Sequence, residues 1–71
     1  MAPTNPILYN NLGNAYLTKE YYSRAIDSFQ NALKHNPDYT LAYFNLGIAF
    51  NKNGESLSAI ESYKNALKIN N

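Results

Sequence analysis

The chain repeats itself with a period of 34 residues, and this period constrains its fold more strongly than any other feature of the sequence. Aligning residues 6–37 with residues 40–71 gives 13 identities in 32 pairs. Four further pairs are conservative, namely Ile7/Leu41, Tyr16/Phe50, Asp27/Glu61 and Phe29/Tyr63. A fixed period of this length is typical of proteins in which each unit buries its apolar face against the next unit. The chain is therefore predicted to contain two stacked units of the same structure.

Within each unit the apolar residues follow a helical spacing, and strand alternation is nowhere sustained. The second half of the first unit shows this spacing at Ala25, Ile26, Phe29, Ala32 and Leu33. The same pattern returns 34 residues later. We predict an N-terminal extension over residues 1–5 and four helices, two in each unit, over residues 6–19, 22–36, 39–53 and 56–70.

Three short segments indicate where these helices begin and end. Asn5 precedes Pro6. The asparagine side chain can accept a hydrogen bond from a free backbone N–H in the first turn, and proline is tolerated at the first helical position because an N–H there would have no partner within the helix. The first helix is therefore predicted to begin at Pro6. Asn36-Pro37-Asp38 is predicted to end the second helix and to start the third, with Asp38 as its cap. Gly54 is predicted to close the third helix in the left-handed conformation, whereas the corresponding segment Lys19-Glu20-Tyr21 contains no glycine, so that turn rests on the repeat alone.

The composition excludes most kinds of catalytic chemistry. The chain has 71 residues, no cysteine and a single histidine, His35. Cysteine nucleophiles and thiolate metal sites therefore lack their sulfur, and a histidine site lacks a second ligand. The acidic residues are scattered and the three glycines are isolated, so neither a paired-carboxylate site nor a phosphate-binding loop is present in the sequence. We predict a non-enzymatic protein without cofactor or metal.

Charge and hydropathy argue against nucleic acid and membranes as partners. A formal net charge of +1 is too small to attract nucleic acid or anionic lipid strongly. No apolar run approaches the ~20 residues that span a bilayer, and the first residues lack the basic and apolar regions of a signal peptide. We therefore expect no nucleic acid, no membrane and a cytoplasmic location.

The shared positions combine small, large and proline residues in a fixed order. In the first unit they are Tyr9, Leu12, Gly13, Tyr16, Ala25, Phe29, Ala32 and Pro37, and in the second they are Tyr43, Leu46, Gly47, Phe50, Ala59, Tyr63 and Ala66. This order resembles the pattern of the tetratricopeptide repeat (TPR) family, with one repeat over residues 6–39 and another over residues 40–71. The resemblance implies an all-α fold in which tandem helix-turn-helix repeats form a short right-handed superhelix of four helices.

The second repeat departs from the family pattern in two ways. Ser56 stands where the first repeat has Tyr22, and we expect Leu57 to take over part of the packing of that tyrosine. No polar capping helix follows the second repeat, although a terminal repeat offers an apolar face to its missing neighbour. The last helix is therefore predicted to present a self-association face formed by Ile60, Tyr63, Leu67 and Ile69.

In the resembled family the first helix of each repeat lines a concave groove that holds extended peptides. Asn11 and Asn45 match the position at which related superhelices carry a ladder of asparagines, whose amides pair with the backbone of a bound peptide. The predicted groove comprises these two residues together with Asn10, Asn14, Leu41, Phe44 and Ile48. Two other interpretations remain open: the asparagines solvate a helix face, and the apolar residues pack against a neighbouring helix.

The most direct functional prediction is a non-catalytic protein–protein interaction module or scaffold. One alternative is a structural unit that self-associates, either by stacking end to end or by exchanging helices through the turn at residues 52–55. Another is a fragment of a larger enzyme or of a co-chaperone. Co-chaperones of the family clamp acidic peptide C-termini, and Asn14 and Asn45 match the clamp asparagines, but Asn10 stands where the clamp requires a lysine.

Overall fold

The computed structural model describes residues 5–69, which form four α-helices. These are α1 (Pro6–Thr18), α2 (Tyr22–His35), α3 (Thr40–Lys52) and α4 (Ser56–Ile69). The described residues contain no strand, so the prediction of an all-α fold is confirmed. Each helix end lies within one residue of its predicted position. Except for Asn5, the predicted N-terminal extension lies outside the described residues, as do residues 70 and 71.

The four helices form two hairpins that lie side by side. Helix α1 packs on α2, α3 packs on α4, and α2 packs on α3 to join the two hairpins, whereas α1 and α3 touch over a smaller area. The Cα atoms extend over 35 × 29 × 14 Å. Because this arrangement is flat and follows chain order, α1 and α4 each have a packing partner on fewer sides than α2 and α3 do.

Two glycines allow the helices of each hairpin to approach closely. A Cβ atom at Gly13 would lie 2.5 Å from Cε1 of Phe29, and one at Gly47 would lie 2.6 Å from Cε1 of Tyr63. Real Cβ atoms do not approach other carbon atoms this closely, because dispersion contacts are optimal near 3.5–4.0 Å. The aromatic ring of the second helix therefore occupies the space that any other residue on the first helix would fill.

Small residues also dominate the core between the helices. Six alanines are at most 3% exposed, namely Ala25, Ala32, Ala42, Ala49, Ala59 and Ala66. Phe29 is the large side chain that is fully buried among the described residues, and Ile26 and Leu46 belong to the same cluster. Close packing through alanine and glycine leaves room for few large core residues, so much of the stabilisation comes from side chains that are only half-buried.

The helix starts agree only in part with the sequence. The Asn5 side chain accepts a hydrogen bond of 2.9 Å from the backbone N–H of Ile7, which confirms the predicted cap of α1. The predicted cap of α3 by Asp38 is wrong, because the residue before α3 is Tyr39 and it makes no side-chain cap. The Asn36 side chain instead accepts from the backbone N–H of Asp38 at 3.2 Å, forming a local turn of the kind asparagine favours.

The turns inside the two hairpins have the same backbone structure despite their different residues. Glu20 has φ +66° and its counterpart Gly54 has φ +83°. The N–H of Tyr21 donates to the carbonyl of Tyr16 at 2.9 Å, and 34 residues later Glu55 donates to Phe50 at 2.8 Å. A residue in the left-handed conformation, followed by a residue whose N–H donates to the carbonyl five positions earlier, is the Schellman motif with which many helices end. The inferred first turn is thus present, with glutamate in a conformation that favours glycine.

Candidate functional site

The predicted groove residues fall on one stripe of α1 and on the equivalent stripe of α3. On each helix the members include pairs three or four residues apart, which share one helix face, and one adjacent pair, Asn10 with Asn11 on α1 and Phe44 with Asn45 on α3, which widens the stripe. The stripe on α1 is polar, with Asn10, Asn11 and Asn14, whereas the stripe on α3 is mostly apolar. We call the two stripes together the α1/α3 surface; it contains Asn10, Asn11, Asn14, Leu41, Phe44, Asn45 and Ile48.

One hydrogen bond between side chains connects the two helices at this surface. Nδ2 of Asn45 donates to Oδ1 of Asn10 over 3.0 Å, and Asn10 is only 3% exposed. In the structure the amide oxygen of Asn10 therefore already has a partner between the helices. Burial of an amide is costly unless it is hydrogen-bonded, so this bond favours one position of α1 relative to α3 and holds the Asn45 amide in place.

The other two asparagines of α1 point to a different use. Asn11 and Asn14 are exposed, and neither side-chain amide has a hydrogen-bond partner within residues 5–69. An exposed amide offers both N–H donors and a carbonyl acceptor. These two side chains can therefore pair with an external backbone without breaking a bond inside the protein.

The apolar members of the surface remain accessible to different degrees. Leu41 is 54% exposed, Phe44 is 37% exposed and Ile48 is half-buried. The Phe44 ring lies 6.1 Å from the ring of Tyr63 in a tilted arrangement, so it is held from the side of α4. Ile7, the counterpart of Leu41 on α1, is 56% exposed. Together these side chains provide apolar contacts beside the asparagines.

The predicted self-association face on α4 is only partly as expected. Ile60, Leu67 and Ile69 are 50%, 62% and 37% exposed. Tyr63 is half-buried and its ring lies against Gly47, so it belongs to the inside of the second hairpin. Leu57 is 83% exposed, so the expectation that it replaces a packing tyrosine is wrong. Its burial could not be read from the local sequence, since it depends on which neighbour reaches the start of α4.

A shallow cavity lies away from the α1/α3 surface, at the turn between α1 and α2. Its lining consists of residues 20–24 and Asn53. Tyr21 is half-exposed at its edge, and the guanidinium of Arg24 lies 5.6 Å from the centre of the Tyr21 ring, within the range of a cation–π contact. None of these residues was predicted as a site. The only sequence signal was that Tyr21 does not occupy one of the repeated packing positions.

The described residues contain no cluster of side chains suited to hold a metal ion. No group of three histidine, aspartate or glutamate side chains comes together within residues 5–69. Nor does any helix in this part of the chain have the length and apolarity needed to cross a membrane. His35 stacks on the ring of Tyr9 with centroids 5.5 Å apart, which gives it a packing role at the end of α2.

Comparison with known proteins identifies the repeat. The sequence model of the tetratricopeptide repeat matches residues 10–71, which is most of the chain. No curated protein sequence matches it significantly. The matched range contains three of the four helices in full and most of α1, and its paired hairpins with close glycine contacts are those expected from helical hairpin repeats. The chain therefore belongs to the tetratricopeptide repeat family, whose repeats generally mediate protein–protein interactions and are typically non-catalytic.

Proposed function

We propose that the α1/α3 surface binds an extended peptide segment of a partner protein. The observation that carries this proposal is that Asn11 and Asn45 occupy equivalent positions of α1 and α3, where Asn11 is exposed and Asn45 is half-buried with one amide N–H bonded to Asn10. Each amide can both donate to and accept from a peptide backbone. Two amides one repeat apart would therefore hold an extended chain through its backbone, which every sequence has.

Specificity would come from the apolar side chains beside the asparagines. Leu41, Phe44 and Ile48 are three or four residues apart on α3 and are at least partly exposed. An extended peptide presents alternate side chains to opposite sides. One of its two sets of side chains would contact this apolar stripe, so the preferred ligands carry aliphatic or aromatic residues at alternate positions.

The surface carries no charge, and this distinguishes the proposal from clamping of an acidic peptide terminus. All seven residues of the α1/α3 surface are asparagine, leucine, isoleucine or phenylalanine. Contacts between neutral groups are little affected by screening, whereas binding through lysine or arginine weakens as salt rises. Binding should therefore change little between about 50 and 500 mM salt, where the Debye length shrinks severalfold.

The test is a screen of extended peptides followed by affinity measurements on the best binders. The principal variant is Asn11→Ala, because this side chain is exposed and its removal breaks no internal bond. Loss of one or two hydrogen bonds, at about 0.5–1.5 kcal/mol each, should weaken binding by about threefold to more than tenfold. The double variant Asn11→Ala with Asn45→Ala should weaken it further, once circular dichroism shows that it remains folded.

The chain provides a matched control for these variants. Asn31 and Asn65 form another pair of asparagines one repeat apart, but they lie on α2 and α4. Replacing both with alanine should leave peptide affinity unchanged. If Asn11→Ala and the double groove variant also leave every detected interaction unchanged, the proposed use of the α1/α3 surface is refuted.

A further inference from the structure

An apolar stripe on α4 has no packing partner within the described chain. Leu57, Ile60 and Leu67 lie on one side of the helix and are 83%, 50% and 62% exposed. We call these three residues the tail face. Large aliphatic side chains scattered singly over a surface need no explanation, but three on one side of a helix, with Lys64 between Ile60 and Leu67, leave an exposed apolar stripe of the kind that marks an interaction site.

The first repeat shows what covers this stripe when a partner is present. The counterparts of Ile60 and Leu67 are Ile26 and Leu33 on α2. Ile26 is only 8% exposed and Leu33 is half-buried, because α3 packs against α2. The same two residue types at the same repeat positions are thus covered by a helix in one repeat and uncovered in the other.

The residues that provide the cover on α3 also have uncovered counterparts. Ala42, Leu46 and Ala49 of α3 are at most 5% exposed. Their counterparts on α1 are Leu8, Leu12 and Ala15, which we call the head face. Leu8 is 50% exposed, Leu12 is 44% exposed and Ala15 is exposed. The chain therefore carries, at its two ends, the two halves of an interface that it already forms internally between α2 and α3.

We propose that the tail face of one copy of the chain docks on the head face of a second copy, in the geometry of the internal α2–α3 contact. The occupant of the tail face is then a helix with the packing residues of α3. Because the two faces differ, each copy keeps one free face after docking. The association is head to tail, and it continues beyond a dimer unless it closes into a ring.

Charge at the edge of the interface favours a second copy as the occupant. Asn53 at the end of α3 lines one cavity with Tyr21 and Ser23 at the start of α2. In the proposed contact between copies, Lys19 of the next copy takes the position that Asn53 has in the internal contact. Glu55 and Leu57 of the first copy take the positions of Tyr21 and Ser23. An ammonium group and a carboxylate are thereby brought to the same corner. Leu57 would fill the space that a serine leaves open in the internal interface.

The test uses two variants that each block one face. Leu12→Lys places a charge in the head face, and Ile60→Lys places one in the tail face. Both side chains are about half-exposed in the single chain, so a lysine can extend into solvent without disrupting the fold. Leu41→Lys is the matched control, because Leu41 is an exposed leucine on the α1/α3 surface and outside both faces. Thermal melting verifies that all three variants are folded.

Sedimentation measures the association of the wild type and the variants from micromolar to millimolar concentration. The wild type should show an average mass that rises past that of a dimer, and Leu41→Lys should behave in the same way. Leu12→Lys alone and Ile60→Lys alone should each associate about tenfold more weakly or worse, as expected when a central anchor of an interface is lost. A mixture of the two should form a one-to-one heterodimer, because one variant retains its tail face and the other its head face.

Three results would overturn the proposal. A wild type that stays monomeric to millimolar concentration would leave the tail face to some other helix, such as a following repeat. A Leu12→Lys variant that dimerises as well as the wild type would indicate a symmetric contact between two α4 helices. Association that is insensitive to Ile60→Lys and stops at a dimer would indicate an exchange of helices through the turn at residues 52–55.

Discussion

In each hairpin a glycine on the first helix contacts an aromatic ring on the second helix. Replacing this glycine by alanine has two opposing effects on the stability of the protein. Replacing glycine by alanine inside a helix stabilises it by about 1 kcal/mol, whereas adding a methyl group to a packed core costs about 1–3 kcal/mol. At Gly13 the new Cβ would lie 2.5 Å from Phe29, which is completely buried and has no space to move into. We therefore expect Gly13→Ala to destabilise the protein by about 1–2 kcal/mol.

Gly47 provides the matched comparison within the same chain. A Cβ there would lie 2.6 Å from Tyr63, but this side chain is only half-buried, so it is less confined than Phe29. The overpacking cost should then lie at the low end of its range, so that Gly47→Ala changes stability by less than about 1 kcal/mol. For a domain of this size, 1 kcal/mol corresponds to a shift in Tm of about 4–8 °C.

Thermal and urea unfolding, followed by circular dichroism, measure both effects. A double-mutant cycle with Phe29→Leu adds a direct check, because the cost of Gly13→Ala should largely disappear once the ring is gone. The reasoning is refuted if Gly13→Ala raises the stability by the full helix-propensity gain. It is also refuted if Gly13→Ala and Gly47→Ala have equal effects, because the difference in ring burial would then have no consequence.

Three further predictions concern single residues, each measured by the same unfolding experiments. Glu20→Gly should stabilise the protein by about 0.5–1 kcal/mol by relieving a positive φ, and Gly54→Ala should destabilise it by about 1 kcal/mol. A destabilising effect of Glu20→Gly or a stabilising effect of Gly54→Ala would contradict this. Asn45→Ala should cost about 1–3 kcal/mol because it leaves the buried amide oxygen of Asn10 without a donor, whereas replacing both asparagines by alanine should cost less than the sum of the two single changes. Asn5→Ala should cost about 1 kcal/mol through loss of its cap, and a neutral result would show that the bond to Ile7 contributes nothing in solution.

Features that recur at the repeat period were predictable from the sequence. The four helices follow from the apolar spacing in each unit, and the close approach of α1 to α2 follows from a glycine, which recurs as Gly47 in the second hairpin. The turn at Glu20 was also predictable, although the residue itself argues against it. Its position corresponds to Gly54, and the packing of both helices of the hairpin compensates for about 1 kcal/mol of backbone strain.

Features that depend on contacts between repeats could not be predicted in this way. Asn10 occupies the repeat position of Phe44, yet it is buried through its hydrogen bond to Asn45, which belongs to a different helix. Ser23 and Leu57 occupy equivalent positions and are both exposed, but among the described residues only α2 packs against a helix of the other repeat, whereas α4 packs on α3 alone. Burial of such residues follows from which helix lies alongside, and the pattern within one repeat carries no information about that.

The predicted cap at Asp38 failed for a local reason. The Asn36 side chain accepts from the backbone N–H of Asp38, and α3 begins after Tyr39, which makes no side-chain cap. Asparagine and aspartate both form such turns. The sequence therefore predicts that a turn occurs here but does not decide which side chain forms it.

Peptide binding at the α1/α3 surface is tested most directly by mapping backbone and side-chain amide chemical shifts during titration with a peptide selected by the screen. If the α1/α3 surface binds the peptide, the side-chain amides of Asn11 and Asn45 and the backbone amides over residues 41–48 should show saturable shifts. The control amides of Asn31 and Asn65 should not move. Saturable shifts confined to α2 and α4, with α1 and α3 unchanged, would contradict the assignment of the α1/α3 surface as the peptide-binding site.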